Sequence, residues 1–459
     1  MARRRTLGAD GGADEGPGRG RRARVVLVSH DTTPALETRI FTPDPDEDAS
    51  TTGRFATWLN AEGIGFHDGT FDPEDIPRFL EAYQADGRVL WGVHDDAQPA
   101  EALGADHPVG TYGTMVHPLN VGSAQIEVHQ ITAVTVRASH RRRGILRSMM
   151  TRDLHEAKDR GLPVAILTAS EATIYGRFGF GAATFTQSIE VDVRERFEVT
   201  APATGTTTLV AREHAVRLAG QVFAGFQAST FGSVGRQYAY ARRASGDWGR
   251  ERPVEDRAVR MAVHYDAEGT PAGYVTYRFA GWETSPRTMK VLDLVAGTPS
   301  AYLELWRYLG SLDLIQVVTW DEARRDDPLP WALRDRRCYA VKGTDDVLWV
   351  RMLDVPAALG ARSYRGSGSI VLDVQDDLGL AQGTFALAVT DGVAQVHIVD
   401  DGTAADVTLT VNALGSLYLG GVQASTLAAA GGLTAGAAEV ERLDVLFGLA
   451  QEPYCITHF

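Results

Sequence analysis

The sequence predicts a multidomain protein that combines α/β and α+β architecture. Its 459 residues exceed the size that one hydrophobic core usually serves, so about three domains of ~150 residues each are expected. The order strand, loop, helix, strand occurs twice along the chain, and short alternating strands follow it. Hydrophobic residues at 44% and charged residues at 23% match ordinary globular usage, so large cores can be built.

The chain opens with a segment that has no hydrophobic periodicity. Residues 1–52 are rich in Gly, Arg, Asp and Pro, which predicts a mostly disordered extension. A first unit, over 53–200, is then predicted to alternate helices and strands. Its elements are helix 75–85, strand 89–93, strand 125–136, helix 145–158 and strand 164–168.

A second unit, over 201–360, repeats this order but lacks the basic loop of the first. Its predicted elements are strand 289–295, helix 301–313 and strand 314–319. The repetition indicates two related units, and the alternative is two ordinary αβ units. The last region, 361–459, follows a Gly/Ser break and is predicted to contain strands 370–374, 385–389 and 394–399 and helices 424–430 and 440–449.

Charge and cysteine content limit the possible functions. Lys+Arg 45 against Asp+Glu 59 give a net charge of −14, which argues against nucleic-acid binding and suits a cationic small molecule or protein amine. Cys338 and Cys455 lie far apart, so no disulfide framework is expected and a reducing cytoplasm fits. The histidines show no HxxxH or HExxH spacing, so no metal is expected. No apolar run approaches the ~18 residues of a membrane span.

A run of arginines interrupts this acidic chain between the first unit's strand and helix. No acidic residue occurs between Glu127 and Asp153. A helix start with free N–H groups, a glycine that lets the backbone approach closely, and several guanidinium groups suit a pyrophosphate. The alternative is a solvated charged loop, whereas the GxxxxGK[ST] and GxGxxG motifs do not occur. The arginines are Arg137, Arg141, Arg142, Arg143 and Arg147.

Residues 134–146, VTVRASHRRRGIL, resemble the acetyl-CoA pyrophosphate loop of GNAT acetyltransferases, with the pattern (Q/R)xxGx(G/A). Arg141 and Gly144 match that pattern, and Leu146 departs from it at the last position. More specifically, the loop, the segment IYGRFGFG at 174–181 and the segment LDVPAAL at 353–359 are similar to those of the enhanced intracellular survival (Eis) acetyltransferases. The resemblance extends from about residue 54 to the last residue.

The resemblance implies an architecture, a co-substrate and a class of acceptor. Two GNAT-like regions would be followed by a sterol-carrier-like α+β domain at 361–459, in a homo-oligomer that is a hexamer in this family. Acetyl-CoA would donate an acetyl group to small cationic amines such as aminoglycosides, polyamines or lysine side chains. The implied cofactor-binding residues are Val134, Thr135, Val136, Arg141, Arg142, Arg143, Gly144, Ile145, Leu146, Arg147, Ser170 and Glu171.

Tyr175 is the predicted general acid. Ser170 is expected to cap a short helix, and Ile174 and Phe178, four residues apart, would share its buried face. Tyr175 is rotated by about 100° from Ile174 and can therefore point elsewhere. A tyrosine with a pKa near 10 can protonate the departing thiolate, and the resemblance gives Tyr175 this role; the alternative is core packing.

The apolar C-terminus, which ends in His458 and Phe459, is the least usual feature. The resemblance implies that the carboxylate of Phe459 enters the active site as a base. His458, next to it, is a rival base, and its alternative role is that of an ordinary surface or packing residue. A frayed end is the alternative. As an alternative function, the C-terminal domain would make the protein a lipid or sterol carrier with a vestigial acetyltransferase domain.

Overall fold

The computed structural model describes residues 36–400 and 402–459. Its strands, in chain order, are β1 (Glu37–Phe41), β2 (Val89–His94), β3 (Gly110–Asn120), β4 (Gln125–Val136), β5 (Val164–Thr168), β6 (Gly181–Ala182), β7 (Phe185–Asp192), β8 (Thr206–Leu209), β9 (Arg260–Tyr265), β10 (Pro271–Phe279), β11 (Thr288–Ala296), β12 (Val317–Ala323), β13 (Tyr339–Asp346), β14 (Leu348–Met352), β15 (Gly368–Gln375), β16 (Gly383–Thr390), β17 (Val393–Ile398), β18 (Val407–Thr410) and β19 (Leu433–Ala435).

The helices of the described residues connect these strands or cover the sheets. They are α1 (Pro45–Asp48), α2 (Arg54–Gly65), α3 (Ile76–Ala85), α4 (Ile145–Asp159), α5 (Ala172–Tyr175), α6 (Ala215–Ser229), α7 (Tyr238–Ala244), α8 (Pro299–Gly310), α9 (Leu329–Ala332), α10 (Val355–Ala361), α11 (Val411–Tyr418), α12 (Ala424–Ala429) and α13 (Ala437–Phe447). Within the described part of the chain, none of these helices is long and apolar enough to cross a membrane.

The first two sheets have the same plan and exchange one strand. The first has the order β1-β2-β3-β4-β5-β14-β6, and the second has the order β8-β9-β10-β11-β12-β7-β13. Each contains one parallel pair, β4 with β5 and β11 with β12, joined through α4 and α8 respectively. β14 lies next to β5 and β7 lies next to β12, so each sheet takes a strand from the other's part of the sequence.

The third sheet, β17-β16-β15-β18-β19, packs against the first. Val350 of β14, Leu372 of β15 and Leu414 of α11 belong to one buried apolar cluster, which joins the two sheets. Gly415 brings the α11 backbone onto β14, because a Cβ at this position would overlap the carbonyl oxygen of Val350. The multidomain α/β and α+β fold class is therefore confirmed.

Two predicted segments differ from the structure. Of the extension predicted over 1–52, residues 1–35 lie outside the described residues, and the remainder contains β1, which pairs with β2, and α1, capped by Asp44. These short elements lack periodicity, so the sequence pattern did not reveal them. The strand predicted over 314–319 begins only at Val317, because Leu314 has a left-handed backbone with φ of 66° that does not suit a strand.

Candidate active site

A gap opens between β4 and β5 where their pairing ends. The two strands pair only over His129–Ile131 and Ala165–Leu167, although β4 continues to Val136. We call the gap beyond these pairs the first wedge. On the side that faces β5, the backbone groups of the last β4 residues therefore have no strand partner, so they are free to bind a ligand.

A bulge in β4 marks the start of this wedge. The register with β3 shifts opposite Tyr112, and Ala133 has a left-handed φ of 54°. Thr111 stabilises the irregular backbone, because its hydroxyl donates to the carbonyl oxygen of Ala133 at 2.8 Å and lies 2.7 Å from the hydroxyl of Thr135. The predicted residues Val134, Thr135 and Val136 follow directly and form one edge of the wedge.

The loop after β4 leads into an open helix N-terminus. Arg142 and Gly144 have left-handed φ values of 64° and 80°, and α4 begins at Ile145 with no side-chain cap and no acidic residue in its first turn. The first-turn N–H groups of Ile145, Leu146 and Arg147 lack intrahelical acceptors. Together with the positive end of the helix dipole they favour an anion.

The arginines of the loop have different partners. Arg143 and His140 both contact Asp95, at 3.3 and 2.9 Å, and the hydrogen bond from His140 is the main reason that the pKa of Asp95 is lowered. Arg141 makes one long contact of 3.5 Å with the carbonyl oxygen of Val136. Arg142 and Arg147 are exposed, and among the described residues their guanidinium groups have no ion pair or hydrogen bond.

Arg137 points away from this open side. Its guanidinium donates to Gln98 at 2.8 Å and to the carbonyl oxygen of Pro108 at 3.1 Å, so Arg137 fixes the base of the loop. Asp95 was not predicted from the sequence. It directly follows β2, and an acidic residue at a strand end beside a basic loop was the available signal.

Tyr175 ends the short helix α5 and is buried, with 5% of its surface exposed. Its ring packs edge-to-face against Phe180 at 6.3 Å. Burial raises the pKa of Tyr175, the charge of Glu171 raises it further, and a hydrogen bond with Ser170 acts in the opposite direction. The phenol therefore keeps its proton at neutral pH, as a general acid requires.

The helix cap predicted at Ser170 is wrong. Glu171 occupies the N-cap position of α5 and makes no side-chain cap hydrogen bond. Ser170 instead interacts with the hydroxyl of Tyr175. Because a serine hydroxyl can bond either a backbone N–H or a nearby phenol, spacing alone could not distinguish the two.

The C-terminus reaches the end of β5 at the mouth of the first wedge. The hydroxyl of Thr168, the last residue of β5, donates to the carboxylate of Phe459 at 2.6 Å and accepts from the N–H of Phe459 at 3.3 Å. Thr168 lies seven residues before Tyr175, on the chain that leads into α5. The structure thus brings the terminal carboxylate to the end of β5, the strand that leads to Tyr175. His458, the rival base, contacts Glu322 and not Thr168.

Comparisons with known proteins identify the domains of this chain. Residues 66–183 and 232–352 each match a model described as an acetyltransferase (GNAT) domain, and residues 355–456 match a sterol carrier protein domain. These matches show two GNAT domains followed by a third domain, in agreement with the three sheets of the structure. GNAT acetyltransferases use acetyl-CoA, which carries the pyrophosphate that the helix start would suit.

Similar proteins cover nearly the whole chain. An uncharacterized N-acetyltransferase of Streptomyces griseus is 34% identical over 92% of this chain and 99% of its own length. The N-acetyltransferase Eis of Mycobacterium tuberculosis is 34% identical over 82% of this chain and 90% of its own. The crystal structure of Eis1 from Mycobacterium abscessus has a TM-score of 0.72 and 28% identity, over 92% of this chain and 100% of that one. The chain belongs to the Eis family of GNAT N-acetyltransferases and is an acyltransferase.

Proposed function

We propose that this enzyme transfers the acetyl group of acetyl-CoA to an amine of a small cationic molecule by direct attack on the thioester. The observation that carries the proposal is the uncapped start of α4 at the edge of the first wedge, with Arg142 and Arg147, which have no partner among the described residues. A helix start that lacks its own cap and acidic residues has donors available for a phosphate. The proposed segments are 53–200 and 201–360 for the GNAT regions and 361–459 for the sterol-carrier-like domain.

In this proposal acetyl-CoA binds along β4 and the start of α4. The pyrophosphate accepts from the N–H groups of Ile145, Leu146 and Arg147 and from the guanidinium of Arg142. The free backbone groups of Val134 and Val136 bind the pantetheine amides. Extended amides and a strand edge without a partner are complementary, because each supplies alternating donors and acceptors. Arg143 supports the loop through Asp95.

The chemical step joins the amine nitrogen to the thioester carbon. The neutral amine attacks this carbon, the carbon–sulfur bond breaks, and the CoA thiolate takes a proton from Tyr175. The carboxylate of Phe459 accepts the proton that the amine loses. Solvent then returns the proton from this carboxylate to Tyr175, so that both groups regain their starting states. No covalent enzyme intermediate is required.

The acceptor class follows from charge. The chain carries a net charge of −14, and two acidic residues, Glu322 and Asp345, lie close enough to His458 to raise its pKa. Such surroundings attract polycations. We therefore propose aminoglycosides, polyamines or lysine side chains as acceptors. The family likeness also supports a cytoplasmic homo-oligomer, a hexamer.

The match of residues 355–456 to a sterol carrier protein domain favours a second candidate function, lipid binding. This function would use the third sheet and its helices, and it would not need Tyr175 or the open start of α4.

An acceptor panel tests both candidates. The protein is incubated with acetyl-CoA and one amine at a time, and free thiol is measured. We expect thiol release with cationic amines and none with uncharged alcohols. No release with any amine, together with saturable binding of a fluorescent sterol, would favour the carrier function instead.

A further inference from the structure

The second sheet contains a gap like the first wedge, and the C-terminal tail fills it. β11 and β12 pair only over Thr288–Lys290 and Val317–Thr319, after which they diverge. We call this gap the second wedge, and residues 452–459 the tail. Tyr454 and Ile456 of the tail are buried together with Phe226 and Val295, which lies near the end of β11.

Alternate tail residues are bound by the second GNAT-like region. The hydroxyl of Tyr454 donates to the carbonyl oxygen of Glu322. The hydroxyl of Tyr240 donates to the carbonyl oxygen of Ile456 at 2.5 Å. Nε2 of His458 lies 2.9 Å from Oε1 of Glu322. This spacing of two residues is that of an extended chain.

Tyr240 is itself held by a buried ion pair. The guanidinium of Arg236 lies 5.1 Å from the centre of the Tyr240 ring and forms two hydrogen bonds with Asp293 of β11, at 2.8 and 2.7 Å. The side chains of Arg236 and Asp293 are each only 4% exposed. A bidentate pair at this depth has a defined geometry, so the hydroxyl that binds the tail has a fixed position.

We propose that Tyr240 and Glu322 are positioning residues that hold the tail in register, so that the carboxylate of Phe459 lies at the first wedge. The second GNAT-like region would thus place the base that the first region uses. Both residues act through the tail and neither touches the reacting atoms. This inference rests on the proposed function, in which that carboxylate is the base.

The alternative is that apolar burial alone holds the tail. Tyr454, Cys455 and Ile456 are each at most 4% exposed, which favours an anchored tail without polar contacts. The two explanations differ at the last two residues. There, His458 is exposed and Phe459 only partly buried, so apolar burial holds them less firmly and polar contacts contribute to their position.

Two variants test the proposal, with one control. Tyr240→Phe removes only the hydroxyl, and Glu322→Gln removes the charge that faces His458. Tyr277→Phe is the control, because Tyr277 lies in β10 of the same sheet and its hydroxyl contacts that of Tyr308 in α8, at 2.7 Å, and not the tail. For each variant we would measure the release of Phe459 by a carboxypeptidase, the dissociation constant for acetyl-CoA, and kcat with an amine that the wild type acetylates.

Loss of the hydrogen bond in Tyr240→Phe, or of the charge in Glu322→Gln, should speed the release of Phe459 and lower kcat by roughly five- to tenfold. The acetyl-CoA dissociation constant should stay at the wild-type value, and the control should match the wild type throughout. Unchanged release of Phe459 in both variants would overturn the proposal. The release of Phe459 is measured without turnover, so it tests the tail contacts separately from the mechanism. Faster release with unchanged kcat would mean that these residues hold the tail but that the carboxylate is not the base.

Discussion

The helices α4 and α8 occupy equivalent places in the two GNAT-like sheets, yet their N-termini differ. α4 follows Gly144, has no side-chain cap and begins with its first-turn N–H groups free. At α8 the hydroxyl of Thr298 accepts from the N–H of Ala301 at 3.1 Å, and Pro299 has no N–H to offer. The first start can bind an anion, whereas the second satisfies its own donors.

The two wedges differ in the same way. The first is flanked by the open helix start and receives only the end of the tail, at Thr168. The second contains the body of the tail, with Tyr454 and Ile456 buried in it. A GNAT-like sheet with a gap between two of its strands therefore does not by itself make the proposed acetyl-CoA site. A few residues at the helix start and the contents of the gap decide it.

The largest expected effect comes from changing the end of the tail, which connects the two wedges. Deleting Phe459 or adding residues after it should lower amine acetylation by about 10³-fold or more, because base catalysis and the electrostatic hold on the acceptor are lost together. Calorimetry should show acetyl-CoA binding unchanged. A folded, extended protein that turns over at the original rate would exclude the carboxylate and leave His458 or a bound water as the base.

The second largest effect is expected from loss of the general acid, Tyr175, which belongs to the first GNAT-like region. Tyr175→Phe should lower kcat by about 10²-fold and leave the acetyl-CoA dissociation constant near its wild-type value. Because Tyr175 is buried, the unfolding temperature must be measured alongside turnover. Wild-type turnover in a stable variant would make Tyr175 a packing residue.

Substitutions at the N-termini of α4 and α8 are expected to have smaller effects, and they form a matched pair of variants. Arg142→Ala combined with Arg143→Ala should weaken acetyl-CoA binding by about tenfold or more, since the charge-assisted hydrogen bond of Arg142 contributes about 1.5–3 kcal/mol and Arg143 supports the loop through Asp95. Thr298→Ala at the second start should lower stability by about 1 kcal/mol without changing binding. Titration calorimetry and thermal unfolding separate the two. If both variants bind equally well, the loop of the first region does not hold the pyrophosphate.

The smallest expected effect concerns pH. Burial alone would lower the pKa of His458, but the hydrogen bond and charge of Glu322, together with Asp345, raise it above its ordinary value. The charged pair therefore stabilises the tail below about pH 6.5 and is lost as the pH rises through the higher, folded-state pKa.

Wild type should exceed His458→Gln in stability by less than about 1 kcal/mol at pH 6, and the difference should shrink at pH 8.5. His397→Gln, a change at an exposed histidine of β17, provides the baseline in the same unfolding measurements. An equal difference at both pH values would mean that His458 contributes by packing and not by charge.

Local patterns predicted much of this molecule. The strand β4, the helix α4 and the arginine loop were predicted because hydrophobic periodicity, Gly144 and the charge reversal are all local signals. The helix cap predicted at Ser170 was wrong because a serine hydroxyl can bond more than one local partner. The contact of Asp95 with the loop depends on β2 and β4 both pairing with β3, one on each side, which no spacing encodes.

Long-range pairing could not be predicted in this way. Nothing in the residues of β7 or β14 indicates that each strand joins the sheet built mainly from the other part of the chain. The path of the tail through the second wedge could not be predicted for the same reason, because it depends on contacts that are distant in sequence. Its apolar residues predict burial, but the partners Tyr240 and Glu322 are more than 130 positions away.

The strand exchange also means that β5 is synthesised well before its partner strand β14. β14 inserts between β5 and β6, so the outer edge of β5 waits for a partner that is made about 180 residues later. At about 5–20 residues per second, the growing chain carries an open strand edge for on the order of ten seconds or more. Such an edge is a template for pairing with other chains. Nascent chains stalled between residues 200 and 340 should therefore be the most prone to aggregate and the most dependent on chaperones.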